Sequence, residues 1–428
     1  MSKRTLEQWL SYLEGLHPSA IDMGLERSAK VFRQLGLARP APKVITVTGT
    51  NGKGSSCAFL AQMLRAQGLS VGMYNSPHLL TYNERVNLNG VLATDTQLCA
   101  AFEAVEAARG DVSLTYFEMG TLAAFWLFEQ AKLDAVVLEV GLGGRLDAVN
   151  LVDADLALIT SIGIDHSDWL GNTRESVAFE KAGIMRQNRP AVCGDIDPPI
   201  TLLERAAALQ APLYVRDQQF SLSIKANSWD WRGTDARGKA IELNDLELLS
   251  LPMVNAAAAL QAYALLDLPW DGAVLKQALL NTSVVGRLDR RTIRYAGKTL
   301  NLLLDVGHNP QAAAFLATQL KRFAPSGKRL AVFGLLSDKE LAGVIEPLQD
   351  VFASWCVAPL PTPRSRSAQE LSEALHARGL VVSEAADIGQ ALAKQCATAH
   401  ENDLLVVFGS FYCVAQALSW LASNTSGE

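Results

Sequence analysis

The sequence has 428 residues, of which 49% are hydrophobic and 19% are charged, and its formal net charge is −6. This composition is typical of a globular protein, and the length suggests two or three domains. The acidic balance argues against a body that binds nucleic acid.

The remaining bulk features also limit the possible classes of protein. No two of the six cysteines form a C-x-x-C pair, so neither a zinc ribbon nor a disulfide framework is indicated. No apolar run reaches the roughly 18 residues of a membrane span. The first residues lack the apolar core of a signal peptide. We therefore expect a reduced, cytoplasmic protein with no membrane partner.

The segment before the first predicted strand, residues 1–42, contains two predicted helices. Leu6, Trp9 and Leu13 fall at helical spacing, which predicts a short amphipathic helix. The stretch from 18 to 27 is typical of a turn that leads into a second helix. On its residues alone, this turn is as compatible with a structural connection as with a functional one.

The most informative stretch is 44–56, which contains a strand, a glycine loop with a lysine, and the start of a helix. Its β-branched beginning predicts a buried strand, and the apolar residues after Ser56 suit a helix packed on a sheet. In this order, backbone N–H groups and the helix N-terminus can surround a phosphate. Lys53 would reach the β- and γ-phosphates, and the Ser55 hydroxyl can face Mg²⁺.

The spacing of this loop departs from the usual G-x-x-x-x-G-K-[ST] pattern. Only two residues separate Gly49 from Gly52, and Gly54 occupies the position of the expected hydroxyl. The alternative is an ordinary turn with Lys53 in solvent.

Two further segments lie before the next strong strand. Residues 70–75 are predicted to form a strand, and Pro77 in the following polar loop excludes its continuation. Residues 114–118 open a largely apolar helix. Glu118 at its start is either functional or a surface charge that complements the helix dipole.

The strand predicted at 134–141 ends in a carboxylate, Glu139. A carboxylate at the carboxyl end of a buried parallel strand can hold Mg²⁺ beside a nucleotide. The glycines that follow approach a dinucleotide-binding fingerprint, which fails at its last position because Leu146 stands there.

A strand predicted at 154–163 leads to His166. A lone histidine is more often structural, although neutral imidazole also binds divalent metals. The next helix is predicted to begin with Asn172 as its N-cap and Glu175 three residues later. It places Lys181 on a mostly apolar face, where a snorkelling lysine is the alternative to a functional one.

The remaining elements lie on either side of a predicted domain junction at 284–291. Residues 229–233, with two tryptophans, are typical of a hairpin edge, and a strong helix is predicted from Met253. Arg287 in the junction could bring both domains onto one anion, or belong to a solvated charge run. Beyond it, strands and helices alternate, which predicts a parallel sheet with helices on both faces.

The Thr-Gly-Thr-Asn-Gly-Lys-Gly-Ser loop resembles the ATP loop of the Mur ligase family, whose members join a carboxylate to an amine using ATP. Within that family the chain is similar to folylpolyglutamate synthases, and in particular to the bifunctional dihydrofolate synthase/folylpolyglutamate synthases of bacteria. The similarity covers nearly the whole chain. Besides the loop it includes three motifs, Ser76-Pro77-His78, Glu180 to Ile184, and Asp305 to Pro310.

The resemblance implies an α/β fold with two domains. Residues 1–285 would form a P-loop domain that binds ATP and pterin, and residues 286–428 a smaller Rossmann-like glutamate-ligase domain. It also implies a cytoplasmic monomer that ligates L-glutamate to dihydropteroate and to the γ-carboxyl of reduced folates. The reaction would use ATP, two Mg²⁺ ions and an acyl phosphate.

Three alternatives remain open on the sequence. The enzyme could have only the folylpolyglutamate synthase activity. A P-loop kinase or NTPase would keep Lys53 and Glu139 but would not use glutamate. A nucleotide-gated binding module would bind ATP without turnover.

The resemblance also implies roles for individual residues. ATP contacts fall on Thr50, Asn51, Gly52, Lys53, Gly54, Ser55, Asn255, Arg287 and Asp305. Magnesium ligands fall on Ser76, Glu139 and His166, with Ser55 added from its place in the loop. Pteroate or folate contacts fall on Ala20, Ile21, Asp22, Thr115, Tyr116, Phe117, Glu118, Leu146, Asp147 and Ala148. Lys181 is implied to be carbamylated to N6-carboxylysine, and Lys53, Lys181 and His166 to serve catalysis.

Overall fold

The computed structural model describes residues 4–322 and 326–427. The chain divides into two compact units, Met1–Thr282 (unit 1) and Ser283–Glu428 (unit 2). The separate functions predicted for residues 1–285 and 286–428 stay predictions.

Unit 1 is built on an eight-stranded sheet. Its strands are β1 (Lys43–Thr48), β2 (Val71–Tyr74), β3 (Val86–Leu88), β4 (Val91–Leu92), β5 (Ala135–Glu139), β6 (Leu156–Ile159), β7 (Ala191–Cys193) and β8 (Leu213–Val215). Their order is β4-β3-β2-β5-β1-β6-β7-β8, and all neighbours are parallel except at β3 and β4.

The central position of β1 determines where the site lies. This strand pairs in parallel with β5 on one side and with β6 on the other. The carboxyl ends of the three strands therefore meet at one edge of the sheet, where ligands bind in open α/β sheets. The glycine loop, Glu139 and the loop after β6 all begin at that edge.

Ten helices lie in the described part of unit 1, residues 4–282. They are α1 (Leu6–Glu14), α2 (Glu26–Gln34), α3 (Lys53–Ala66), α4 (Asp95–Arg109), α5 (Tyr116–Ala131), α6 (Ser167–Leu170), α7 (Arg174–Ala182), α8 (Ile200–Ala208), α9 (Met253–Ala264) and α10 (Gly272–Leu280). Short 3₁₀ turns occur at Tyr82–Arg85 and Ala148–Leu151. The two predicted N-terminal helices are confirmed, and α3 begins at Lys53 itself.

The N-cap predicted for α7 is wrong by one residue. Thr173 has extended backbone angles, and its hydroxyl accepts a hydrogen bond from the Ser176 N–H. The capping box closes on Ser176, whereas Glu175 accepts hydrogen bonds from Thr201. Asn172 and Thr173 can both cap a helix, so the local pattern could not distinguish them.

A small antiparallel sheet in unit 1 contains β9 (Ser221–Ile224), β10 (Ser228–Thr234) and β11 (Ala240–Glu247), in the order β11-β10-β9. The predicted hairpin edge at 229–233 is therefore wrong, because β10 is the central strand. Trp229 and Trp231 are both fully buried. The Trp231 indole N–H donates to the Ala257 carbonyl of α9 at 3.1 Å, so this face of the sheet packs on that helix.

Unit 2 has a seven-stranded sheet in the order β16-β15-β14-β17-β13-β12-β18, parallel except at β12 and β18. Its strands are β12 (Asp289–Tyr295), β13 (Lys298–Asp305), β14 (Arg329–Phe333), β15 (Ser354–Val357), β16 (Val382–Glu384), β17 (Leu404–Phe408) and β18 (Ser426–Gly427). Its helices are α11 (Pro310–Arg322), α12 (Leu341–Ile345), α13 (Ala368–His376), α14 (Ile388–Thr398) and α15 (Phe411–Asn424). A 3₁₀ turn follows α12 at Glu346–Leu348. The predicted α/β fold class is confirmed in both units.

No helix within 4–322 and 326–427 combines the length and the apolar character needed to cross a membrane.

Candidate active site

The glycine loop turns its lysine back toward its own backbone. The Lys53 ammonium donates to the Gly49 carbonyl at 2.9 Å. Gly49 has no room for a side chain, because a Cβ there would lie 1.8 Å from the Thr160 hydroxyl. The ammonium is therefore held at the mouth of the loop, where a phosphate would lie.

The loop is also anchored to the segment that follows β6. The Thr50 hydroxyl donates to the Gly163 carbonyl at 2.8 Å and accepts from the Gly163 N–H at 2.9 Å. The Thr160 and Ser161 hydroxyls donate to the Asn51 carbonyl at 2.6 and 3.0 Å. These bonds fix the loop's shape before any ligand binds.

Asn255 closes the loop from a position far along the chain. Its side-chain amide donates to the Ser55 hydroxyl at 2.8 Å. Gly52 has a left-handed φ of 88°, and a Cβ on it would lie 2.6–2.9 Å from three Asn255 side-chain atoms. The structure thus brings together the predicted ATP residues of α3 and α9.

Glu139 ends β5 beside this loop and is only 5% exposed. The Ser76 N–H lies 3.4 Å from its carboxylate, and a Cβ on Gly54 would lie 3.7 and 3.9 Å from its two oxygens. A buried carboxylate beside the hydroxyl-bearing Ser76 loop, with a glycine leaving space, fits the oxygen ligands that Mg²⁺ prefers.

His166 is the predicted metal ligand in the segment that follows β6. It is exposed and opens α6 with a left-handed φ of 51°, and its backbone N–H donates to the Asp165 carboxylate at 2.9 Å. The described part of the chain contains no cluster of three or more His, Cys, Asp or Glu side chains suited to a metal. The assignments of Ser55, Ser76, Glu139 and His166 as metal ligands stay predictions.

Lys181 is 2% exposed, so the snorkelling alternative is wrong. Burial lowers the pKa of its amine to about 7, with repulsion from Lys53 adding to the shift and attraction to Asp165 opposing it. At neutral pH a large fraction of this amine is uncharged and nucleophilic.

Unit 1 contains a cavity of about 560 Å³. Its wall is formed by the end of α1 and the turn after it, the Ser76 loop, the start of α5 and the loop after β5. All ten predicted pteroate-contacting residues line it, namely Ala20, Ile21, Asp22, Thr115, Tyr116, Phe117, Glu118, Leu146, Asp147 and Ala148. Their roles stay predictions, but the structure places them in one cavity.

An ion network joins two of these residues through an arginine that the sequence did not single out. Arg27 pairs with the Asp22 carboxylate at 2.8 Å and the Glu118 carboxylate at 3.1 Å. Glu118 is buried, so its interpretation as a surface charge is wrong. His17 Nε2 contacts the same Asp22 oxygen at 3.1 Å.

Asp147 is a buried acid of the cavity wall. Burial raises the pKa of its carboxyl from 3.8 to about 6, against hydrogen bonds from the backbone N–H groups of Leu142 and Val149 that favour the carboxylate. The charge of the Asp147 carboxyl therefore changes near pH 6, where the protein can be assayed.

His78 and Arg85 also line the cavity, although no role was predicted for either of them. The Arg85 Nε–H donates to His78 Nδ1 at 2.9 Å. Burial, then the nearby Arg85 cation, lowers the pKa of His78 to about 4. A polar pair within a loop gives no pattern in the sequence, so only the fold reveals it.

The predicted ATP residues of unit 2 are Arg287, two residues before β12, and Asp305, the last residue of β13. Asp305 is buried, and its two oxygens accept from the N–H groups of Leu288 and Gly307 at 2.9 and 2.8 Å. The Arg287 guanidinium lies 5.3 Å from the centre of the Phe411 ring and is half-buried, which does not fit a fully solvated charge run. Their contacts with ATP stay predictions.

Comparison with known families gives two matches. Residues 47–230 match the Mur ligase middle domain, and residues 286–411 match the Mur ligase, glutamate ligase domain. The dihydrofolate synthase/folylpolyglutamate synthase of Escherichia coli is 43% identical over 422 residues, which are 99% of this chain and 97% of that protein. The protein of the same name from Haemophilus influenzae is 42% identical and covers 96% of each chain.

Solved structures of similar proteins share the fold of this chain. The E. coli FolC structure in complex with DHPP and ADP has a TM-score of 0.91 and 42% identity, covering 98% of both chains. A bifunctional folylpolyglutamate synthase/dihydrofolate synthase from Yersinia pestis, complexed with AMPPNP and Mn ion, has a TM-score of 0.90 and 43% identity, again covering 98% of both chains. With both Mur ligase domains present and relatives of this similarity along its whole length, this chain belongs to the Mur ligase family, in its dihydrofolate synthase/folylpolyglutamate synthase branch.

Proposed function

We propose that this chain is an ATP-dependent ligase that joins L-glutamate to the carboxylate of dihydropteroate and adds glutamate to the γ-carboxyl of reduced folates. The observation that carries the proposal is the shared Ser76 loop. On one side this loop meets Glu139 beside the glycine loop, and on the other it lines the cavity that holds all ten predicted pteroate residues. A carboxylic acid in that cavity can therefore reach a nucleotide phosphate.

In the proposed reaction, the protein acts mainly by stabilising charge and forms no covalent intermediate with the substrate. The substrate carboxylate attacks the γ-phosphate, which gives an acyl phosphate and ADP. The neutral amine of glutamate then attacks the acyl carbon, and phosphate leaves. Lys53 and the N–H groups of its loop stabilise the phosphoryl oxygens, where charge is concentrated in the first step.

Other predicted residues support this site. Glu139, Ser76, Ser55 and His166 would hold Mg²⁺, which when bound neutralises phosphate charge. Besides the loop residues Thr50 to Ser55, Asn255, Arg287 and Asp305 are proposed contacts for ATP. Solved structures of similar proteins are complexes with ADP, or with AMPPNP and Mn ion, which supports a nucleotide and a divalent cation for this chain.

Lys181 is proposed to act as a carbamate. Its neutral amine attacks CO₂, forms an N–C bond and releases a proton, which leaves an anion with two oxygens. The buried position and the pKa of about 7 favour this reaction. The product replaces a cation that Lys53 repels with an anion that Lys53 attracts.

The test of the function is a single assay of ADP formation, with each of dihydropteroate and glutamate omitted in turn. We expect sustained ADP release only when both are present, together with a glutamylated product. ADP release that does not depend on glutamate would favour a kinase or NTPase, and ATP binding without turnover would favour a binding module. Lys53→Ala is the control, and its turnover should be at least roughly 100-fold lower at saturating ATP.

Bifunctionality is tested with a second acceptor. The wild type should glutamylate both dihydropteroate and a reduced folate. Asp22→Ala should impair the first reaction more, because Asp22 lines the cavity beside the predicted pteroate residues. An enzyme that accepts only folates would support the monofunctional alternative. We also propose a cytoplasmic monomer, which cell fractionation and light scattering would check.

A further inference from the structure

Arg85 is a buried cation that pairs with no carboxylate among the described residues. It is 9% exposed and lines the cavity. Its described partners are His78, which accepts from its Nε–H, and the rings of Tyr82 and Tyr116, whose centres lie 5.2 and 5.4 Å from its guanidinium carbon. It also interacts with the Tyr74 hydroxyl, which is a neutral group. Within residues 4–322 and 326–427, no carboxylate forms an ion pair with it.

The acids nearby either have other partners or are exposed to solvent. Glu84, the preceding residue, accepts hydrogen bonds from the backbone N–H groups of residues 79–81. Among the acids of the cavity wall, Asp22 contacts His17 and Arg27, Glu118 contacts Arg27, and Asp147 accepts two backbone N–H groups. Glu14, the remaining one, is exposed. A buried guanidinium without a carboxylate partner is costly unless a ligand supplies the anion.

The hydrogen bond to His78 fixes both the protonation of that residue and the orientation of Arg85. Arg85 Nε can only donate, so His78 Nδ1 must be the unprotonated acceptor, and the imidazole is neutral. Because a guanidinium has five N–H donors, the contacts with His78 and with the neutral Tyr74 hydroxyl still leave N–H groups for an anionic acceptor. A guanidinium edge of this kind matches a carboxylate in geometry and charge.

The position of Arg85 identifies which end of the substrate it meets. Its backbone carbonyl accepts from the Asn75 N–H at 2.9 Å, directly before Ser76. Arg85 thus lies where the cavity wall meets the loop that contacts Glu139. The reacting carboxylate must reach this part of the cavity, whereas Arg27 and its two acids form a separate, already paired group.

We propose that Arg85 binds the carboxylate of the pterin-bearing substrate, and that His78 is the positioning residue that orients its guanidinium. The proposal rests on the proposed function and adds a residue that recognises the reacting end of the first substrate. In this arrangement Arg85 holds the carboxylate before it is phosphorylated, and the rings of Tyr82 and Tyr116 keep the guanidinium in place by cation–π contact.

The experiment compares two ligands by calorimetry with the full-length protein at pH 8, without ATP. The ligands are dihydropteroate and its carboxamide, which is neutral and of similar shape. The wild type should bind dihydropteroate roughly 10- to 100-fold more tightly, the range for a charge-assisted hydrogen bond in a buried site. Arg85→Gln should abolish this preference for the carboxylate. Its affinity for the carboxamide should change by less than about threefold, which would also show that the cavity is intact.

Three other variants complete the test. Arg27→Gln is the matched control and should weaken both ligands by the same factor. Arg85→Lys should keep part of the preference, because it retains the charge without the planar fork. His78→Asn should keep the preference, since an amide oxygen can replace Nδ1 as acceptor, whereas His78→Leu should lose it. These variants also test the proposal if Arg85→Gln does not fold.

The possible outcomes separate the two proposals. If Arg85→Gln weakens both ligands equally, Arg85 is a packing or pterin-contacting residue and the inference is overturned while the proposed function stands. A preference that survives in both Arg85→Gln and His78→Leu would overturn it as well. Failure of the wild type to bind either ligand would refute the proposed function itself, and the role of Arg85 with it.

Discussion

Substituting Gly52 with alanine should disturb the nucleotide loop through Asn255. A φ of 88° costs an alanine about 1–2 kcal/mol. The new Cβ would also lie 2.6 Å from the Asn255 side-chain oxygen, and overpacking of this kind costs about 1–3 kcal/mol. Because Asn255 donates to Ser55, its displacement should also lower nucleotide affinity by about tenfold, which corresponds to roughly 1.4 kcal/mol.

Gly68, beyond the other end of α3, is a matched control. It has the same φ of 88°, but a Cβ there would meet nothing within 4 Å. Gly68→Ala should therefore lower the free energy of unfolding only by the amount that a left-handed φ costs an alanine. Differential scanning calorimetry should show a lower Tm for both variants, with the larger fall in Gly52→Ala, and titration with MgADP should show weaker binding in Gly52→Ala alone.

A double variant checks that the close approach is the cause. Asn255→Ala removes the atoms that the new Cβ would meet, so Gly52→Ala combined with Asn255→Ala should cost less stability than the sum of the single changes. Equal MgADP affinity in Gly52→Ala and Gly68→Ala, or strict additivity in the double variant, would refute the reasoning.

Three further predictions concern the charged groups of unit 1. Lys181→Ala should be nearly inactive and partly restored by short carboxylic acids, which can occupy the vacated space; full activity without additives would exclude the carbamate. Arg27→Met should destabilise the protein by about 3 kcal/mol because it leaves the buried Glu118 carboxylate uncompensated. Adding Glu118→Gln should recover part of that loss in thermal unfolding, and no recovery would mean that the ion pair is not the cause. Between pH 3.8 and about 6 the folded state binds more protons at Asp147 than the unfolded chain does. The contribution of this residue to stability should therefore be lost as pH rises through 6, and the Tm profile of Asp147→Asn should lack that fall.

The features that could be predicted from the sequence are those specified by local patterns. A β-branched run followed by glycines and a lysine predicted β1, the loop and α3 because each signal lies within a few residues of the next. The carboxylate at the end of β5 was found for the same reason. The family resemblance added the pteroate residues, which the cavity then brought together.

Features that depend on distant partners could not be predicted in this way. Ser55 and Asn255 are 200 positions apart, and Arg27 and Glu118 are 91 positions apart. Their pairing is a property of the folded sheet and its helices, not of any window in the sequence. The pairing of His78 with Arg85 was missed although they are close in sequence, because two polar residues in a loop show no periodicity.

The packing of β10 on α9 connects the small antiparallel sheet, which has no predicted site residue, to the nucleotide loop. Trp231 donates to Ala257, two residues beyond Asn255, and the Gln261 amide exchanges two hydrogen bonds with the backbone of Thr234 at 3.1 and 2.7 Å. These contacts fix the rotation of α9 about its axis, and therefore the direction in which Asn255 points. A chimera that exchanged α9 between relatives without the small sheet would break this registration. Helix α9 and the small sheet should therefore be transferred together. A substitution in β10 should change the affinity for ATP through α9 and Asn255.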